Sequence, residues 1–384
     1  MIYIEVRANS PLVISSRHFV SNENNTIDYI PGSALRGAIA EKLLMELGGD
    51  HPKFKEIFID GKIKFGNLYP GQGSPIPKSA KTCKYLQGFR GSDNHGVIDY
   101  LLPTVNYEIT KDIGALPLDC PVCKAPIVNF SGFYKGQEKV DITKRFMTRT
   151  AINEKTLTAK EGILYTLEAI EEGQDFWGII DLESGTVERG KLKYRNMSIL
   201  KNGEMFWVGS GRTRGMGNIE VGNVEEMENM FPAEFIPGNI ESRFDKMQEK
   251  LSAIGIKGFS ITLHSDVIVI DKFMRYKSAV DESCLMDGFG IADIKLVCTF
   301  NNIKEISGWN SAWGLPKEGE LAIEKGSVFF FRYKGDDVEG LLQRLKYVEM
   351  KGIGLRREEG FGKVYICDSF HIDNLPSDWI TKEE

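Results

Sequence analysis

The spacing of apolar positions along the chain repeats one arrangement twice. The first run, "IYIEVRANSPLVIS", is short, strand-like and rich in β-branched residues, and a similar run, "GFSITLHSDVIVID", begins at Gly258. Each is broken by a Ser-Pro or Ser-Asp turn. After the first comes "YIPGSALRGAIAEKLLMELGG", where Leu35, Ile39, Leu43 and Leu47 recur every fourth residue and predict a helix. Ser33 is its expected N-cap, and Gly48 and Gly49 end it. Gly37 inside that helix costs roughly 1 kcal/mol relative to alanine, so a close neighbour is expected on its first turn. Later, Val338, Leu341, Leu342, Leu345 and Val348 fall on one helical stripe, and "KYRNMSILKNG" is a weaker helical segment in the corresponding place of the first half.

Each of those two segments leads into a glycine-rich loop and a strand. "GSGRTRGMGNIEV" from Gly209 and "GLRREEGFGKVYI" from Gly354 share G-x-x-R-x-x-G-x-G followed by β-branched positions. Strand, helix, strands, helix, strand is the ferredoxin-like order, so the chain is expected to be an α+β protein of two tandem ferredoxin-like, RRM-like domains. The first is assigned to residues 1–230, with a loop-built, cysteine-containing insertion at 66–140 that is rich in proline and glycine. An acidic, proline-containing linker is assigned to 231–258 and the second domain to 259–384. A length of 384 residues with 42% hydrophobic content suits this division.

Charge narrows the function. A net charge of −6 argues against nonspecific coating of nucleic acid, yet the segment from Lys139 to Lys160 and "ERGKLKYR" concentrate basic residues. That segregation suits one groove for an anion on an acidic body. In the first glycine loop, Gly209, Ser210, Gly211, Thr213, Gly215 and Gly217 surround Arg212 and Arg214. Such a turn can aim backbone N–H groups at a phosphate while arginines supply forked donors; a hairpin that merely needs positive φ is the alternative. In the second loop Glu358 and Glu359 oppose Arg356 and Arg357, which points to a structural or protein-binding role. Ser33, Arg36 and Gly37 at the amino end of the first helix form a second candidate phosphate site. Lys144, Arg145, Arg149 and Thr150 form a third, with Phe146 between them available either for stacking on a base or for the core.

Cys120 and Cys123 have C-x-x-C spacing, and Cys83 and His95 lie in the same insertion, which together make a candidate Cys3His zinc site. Catalytic signals are sparse. His18, with Tyr29 near it in sequence, is the one candidate for general acid or base chemistry. No apolar run approaches the roughly 18 residues of a membrane span, and the few cysteines suit reduced thiols, so a cytoplasmic chain is expected.

The segments "YIPGSALRGAIAEKLL", the two glycine loops, "KTCKYLQGF", "CPVCKAPIVNFSGFY", "TRTAINEKTLTAKEGILYTLEAI" and "SGWNSAWGLPKEG" resemble the RAMP superfamily of CRISPR proteins, and more narrowly the RAMP subunit of type III-D effector complexes. The resemblance implies a noncatalytic subunit that caps the 5′ handle of CRISPR RNA beside the large polymerase-like subunit and the RAMP backbone subunits, meeting target RNA indirectly. Two other readings are a metal-independent endoribonuclease that processes precursor CRISPR RNA, and a protein-only interaction module.

Overall fold

The computed structural model describes residues 1–15, 23–91, 94–112, 116–152, 155–156, 158, 159–182, 185–226, 239–310 and 314–376. Its two main sheets have the same order. In the first, the central strand Ile2–Ala8 lies between Asn218–Glu226 and Asp175–Leu182, and the latter pairs with Ile63–Phe65, all antiparallel. In the second, Lys257–Leu263 lies between Val364–Ile366 and Val328–Tyr333, and the latter pairs with Ile294–Phe300. Numbered within each unit, both read 4-1-3-2, the ferredoxin-like order, so the α+β duplication expected from the sequence is the observed fold. Each sheet carries its own core.

Two of the predicted helical stripes are observed as helices and one is not. Gly32–Leu47 buries Leu35, Ile39 and Leu43, and Val338–Lys351 buries Leu341, Leu345 and Val348. "KYRNMSILKNG", however, is a hairpin of Lys191–Tyr194 and Met197–Lys201 and not a helix. Its Leu192, Tyr194, Ile199 and Leu200 are buried, while Arg195 and Asn196 take φ of 45° and 68°, the left-handed pair that a two-residue hairpin turn demands. Part of the segment assigned as linker is helical. Ile240–Ser252 is a helix capped by Asn239, and its Phe244, Met247 and Leu251 enter the second core; residues 231–238 of the assigned linker lie outside the described residues.

The insertion, read as loops, holds a three-stranded sheet of Ala80–Cys83, Val97–Asp99 and Ile127–Asn129 and a helix, Leu101–Thr110. Leu101, Leu102 and Val105 of that helix pack into the second core, although the segment interrupts the first unit. A buried polar chain fastens it there: Ser79 donates to Asp99 (2.6 Å), Asp99 meets His371 Nδ1 (3.1 Å), and His371 Nε2 meets Thr262 (2.8 Å). Among the described residues no helix is long and apolar enough to cross a membrane.

Glycine placement in the first helix also differs from expectation. A Cβ on Gly37 would meet nothing within 4 Å, whereas one on Gly32 would lie 1.9 Å from the Phe65 carbonyl oxygen and 2.9 Å from that of Glu359. The close approach is at the first residue of the helix, where the second unit abuts the first. Gly37→Ala is therefore expected to raise stability by about 0.5–1 kcal/mol. Gly32→Ala should lower it by roughly 1–3 kcal/mol, as overpacking does, and urea unfolding of the two variants beside wild type checks both.

Candidate nucleic-acid interface and metal centre

The two glycine loops share one backbone frame. Ser210 N–H donates to the Val13 carbonyl (2.8 Å) as Leu355 N–H does to that of Ile268 (2.9 Å). Gly217 donates to the Pro11 carbonyl as Gly362 does to that of Asp266, and Val208 N–H donates to the Gly217 carbonyl (2.8 Å) as Ile353 N–H does to that of Gly362 (2.9 Å). Arg212–Arg214 and Arg357–Glu359 are the matching single 3-10 turns. Gly209 and Gly217 (φ 75° and 89°) and Gly354 and Gly362 (φ 84° and 82°) need both left-handed backbone and bare space. A Cβ on Gly209 would lie 2.4 Å from the Val13 oxygen, and one on Gly354 would lie 2.3 Å from that of Ile268. The bare face of these bends is thus turned to the protein's own main chain, and the amides of Ser210, Arg214, Gly215, Met216 and Gly217 are taken up internally. What the first loop turns outward is its 3-10 turn, with Thr213, Arg214 and Gly215 exposed.

The first loop and the basic segment meet in space. Lys144–Ile152 and Ala159–Ile170 form an antiparallel hairpin whose Met147 and Ala169 pack with Val13 and Met216 of the loop region. Arg214 reaches the Tyr165 hydroxyl (3.3 Å), and Arg149 lies 3.9 Å from Met216 Sδ. Tyr165 was invisible in a run that reads only as strand. Phe146, on the opposite face of the hairpin from Met147, is 71% exposed, which removes the core explanation for it. Arg145 pairs with Glu172 (3.2 Å), and Thr150 is exposed on the same strand. Arg212 pairs with Glu41 of the first helix at 2.5 Å with both side chains part-exposed; such a pair contributes at most about 1 kcal/mol, so a phosphate can compete for the arginine.

Other expected phosphate contacts are occupied. Lys144 is only 22% exposed, bridges Asp28 and Glu168, and donates to the Thr26 carbonyl (2.9 Å). The first helix begins after Pro31 with no side-chain cap, so Ser33 is a half-buried residue of the first turn and not the N-cap. Gly32 N–H is taken by Asn67 Oδ1 (2.9 Å), and Arg36 donates to the Phe58 carbonyl with its guanidinium 5.6 Å from the Phe58 ring. That helix end is sealed by the second glycine loop: Gly360 sits where a Cβ would be 2.8 Å from Asn67 and 2.9 Å from the Phe65 oxygen. Arg356 joins Glu320 and Glu359, and Lys317 joins Glu359 (3.1 Å). Burial alone would raise the Glu359 carboxyl, but Arg356 and Lys317 hold it below its ordinary value. The second loop is a seam between the units.

Of the catalytic candidates, His18 lies outside the described residues. Tyr29 is buried and donates to Asp266 (3.2 Å), itself paired with Lys304 (2.7 Å); burial and the Asp266 charge push the phenol well up.

The four donors of the insertion converge. Cys83 Sγ, His95, Cys120 Sγ and Cys123 Sγ place one ligand atom each within 4.8 Å of one another. Cys83 and Cys123 are 3.6 Å apart, and Cys120 is 3.4 Å from His95 Nδ1. A tetrahedron with Zn–S of about 2.3 Å and Zn–N of about 2.0–2.1 Å has edges of about 3.8 Å and about 3.5 Å, so the residues fit zinc. Backbone N–H groups of Leu86 and Tyr85 pull the Cys83 thiol down to about 6, which favours the thiolate a metal needs.

Residues 5–220 match the family model described as RAMP superfamily, and residues 226–368 match that described as CRISPR-associated protein (Cas_Cmr3). No curated protein matches the chain. Among solved structures it is similar to a chain of the Type III-B Cmr-beta bound to cognate target RNA, at 13% identity over 94% of this chain and 96% of that one, TM-score 0.43. A chain of the same complex bound to cognate target RNA and AMPPnP in state 1 gives 13% identity, 90% and 93% coverage and TM-score 0.45. Oligomeric Cmr4 from Pyrococcus furiosus gives 12% identity, 59% and 98% coverage and TM-score 0.26.

Elemental analysis of the purified chain is expected to find zinc at a single site per chain, lost in Cys120→Ser together with protection of the insertion from proteolysis. Equal, near-zero metal in both proteins would reject the site.

Proposed function

The chain belongs to the RAMP superfamily, and on that premise we propose that it is a noncatalytic RNA-binding subunit of a type III CRISPR effector complex, holding the 5′ handle of CRISPR RNA in the type III-D manner. The match of residues 226–368 to the Cas_Cmr3 family supports the type III assignment. The observation that carries RNA binding is the convergence of the first glycine loop with the basic hairpin. Arg214 is anchored by Tyr165, Arg149 lies against Met216, and Arg212 is held by an exchangeable pair to Glu41. On this surface Arg212, Arg214, Arg145 and Arg149 would take phosphates, and Phe146 would stack a splayed base from the outer face of the hairpin. The positions that do least for RNA are Lys144 and Arg36, whose donors are engaged within the protein, and Ser33, which is half-buried in the first turn of the helix.

Within the complex, the partners are the large polymerase-like subunit and the RAMP backbone subunits, with target RNA met indirectly through the guide, and the site of action is the cytoplasm. Zinc in the Cys83, His95, Cys120 and Cys123 cluster would be structural: it would hold the insertion's strands together where little apolar core is available. Tyr29, bound to Asp266 in the seam, lends nothing to a nuclease reading.

The decisive measurement is binding of a labelled handle RNA as a function of salt. Arg212→Ala with Arg214→Ala is expected to reduce the salt slope by about 1.4, two phosphates at about 0.7 each for a single strand. An unchanged slope would remove the first loop from the interface. Incubation with a repeat RNA tests the noncatalytic assignment: specific cleavage that disappears in His18→Ala would replace it with an endoribonuclease.

A further inference from the structure

The second unit carries a groove that the reading above leaves unused. It lies between the turn Asp271–Arg275, the helix Glu282–Phe289 and the second glycine loop, and encloses about 630 Å³. Lys272, Arg275, Lys277, Lys351 and Arg357 line it, against Asp271 and Asp287. Arg275 is bound to Asp271 (2.7 Å) and Lys277 to Asp281 (2.8 Å). Lys272, Lys351 and Arg357 have no carboxylate partner among the described residues. On a chain of net charge −6, this leaves a local excess of positive charge without carboxylate partners around a concave surface, with Lys351 resting against the rings of Phe289 and Tyr347.

The turn is built to hold an aromatic ring in solvent. Asp271 Oδ1 accepts from the N–H groups of Phe273 (2.8 Å) and Arg275 (3.0 Å), its carbonyl accepts from Met274 (3.0 Å), and its N–H donates to the Arg275 carbonyl (2.9 Å). Met274 is fixed at φ 63°, a conformation bulky side chains rarely take, and it is 74% exposed. Phe273 is 66% exposed, with the cations of Lys272 and Arg275 each 5.2 Å from its ring centre. A rigid turn that exposes a ring between cations, at the mouth of a groove with unpaired cations, has the two elements of a single-strand site: a stacking platform and an electrostatic track. On the far wall lie Gly352 and Gly354, and the stem of Arg357 lies across Gly352. In the sequence, Glu358 and Glu359 argued against this loop. Glu359 is consumed by Arg356 and Lys317 in the seam, and Arg357 lines the groove.

We infer that this groove is a second site for single-stranded RNA, separate from the first glycine loop, with phosphates on Lys272, Lys351 and Arg357 and a base stacked on Phe273. The inference rests on the reading that the chain binds RNA, and extends the footprint to the second unit. An acidic protein segment is the competing occupant; the exposed ring flanked by cations favours a nucleotide, which supplies a π-face in its base and a negative charge in its phosphate.

The test uses the full chain and fluorescently labelled single-stranded RNA. Lys272→Glu with Arg357→Glu is expected to weaken binding about tenfold at moderate salt. Phe273→Ala, at an exposed position that leaves the fold intact, should weaken it at least about fivefold with the salt slope unchanged. Ultraviolet crosslinking of wild type should yield an RNA adduct on a peptide containing Phe273. If wild type binds and Arg212→Ala with Arg214→Ala weakens it while both groove changes leave affinity untouched, the groove is overturned and the first-loop reading stands. Unchanged RNA affinity with lost association to co-expressed effector subunits would assign the groove to a protein and likewise overturn it. Absence of RNA binding by wild type would sink the underlying reading.

Discussion

The structure depends on the contact of main chain with main chain at the glycine loops. Ser210 and Leu355 each give an amide hydrogen to a carbonyl in the turn after the first strand of their unit, at 2.8 and 2.9 Å, and each follows a glycine whose missing side chain permits the approach. This bond ties the last strand of each sheet to the turn beyond its central one. A methyl group in that space would collide with a carbonyl oxygen that cannot move without disturbing the sheet. The glycines are therefore spent inside the protein. Any grip on a polyanion comes from the side chains that the rigid bend projects, chiefly arginines whose planar forks suit phosphate.

From one frame the two copies have taken opposite duties. In the first, the 3-10 turn faces outward, and its arginines are held by weak, exchangeable partners, Glu41 and the Tyr165 hydroxyl. In the second, Arg356 occupies the left-handed place that Gly211 fills in the first, held there by Glu320 and Glu359, and the loop closes over the amino end of the first helix. The second loop's outward function passes to a single residue, Arg357, and to the neighbouring turn at Phe273.

Much of this was legible in the residues because its causes are local. The duplication shows in the glycine spacing, since each glycine answers a backbone requirement that no other residue meets; the helical stripes of Leu35 to Leu43 and Leu341 to Val348 show because burial imposes a period. Half of the candidate metal cluster was legible for the same reason, as Cys120 and Cys123 need only a tight turn between them. What could not be read was set by contacts distant in sequence. The partnership of Arg214 with Tyr165, the loss of Lys144 to Asp28 and Glu168, and the sealing of Gly32 by Glu359 and Gly360 all need the tertiary arrangement. The hairpin at Lys191–Lys201 was misread because its apolar residues fit both periods over so short a span, and the Arg195–Asn196 turn carries no glycine to mark it.

The helix Leu101–Thr110 has an implication for biogenesis. Among the described residues, Leu101, Leu102 and Val105 are buried in the core formed by strands and helices between Phe244 and Ile366, so the amino-terminal unit leaves the ribosome with that apolar face uncovered. At about 5–20 residues per second, that face waits on the order of tens of seconds for its cover to be made. Neither half can be expressed alone without a wound, and the nascent chain is exposed to wrong partners for as long as the second half is under synthesis.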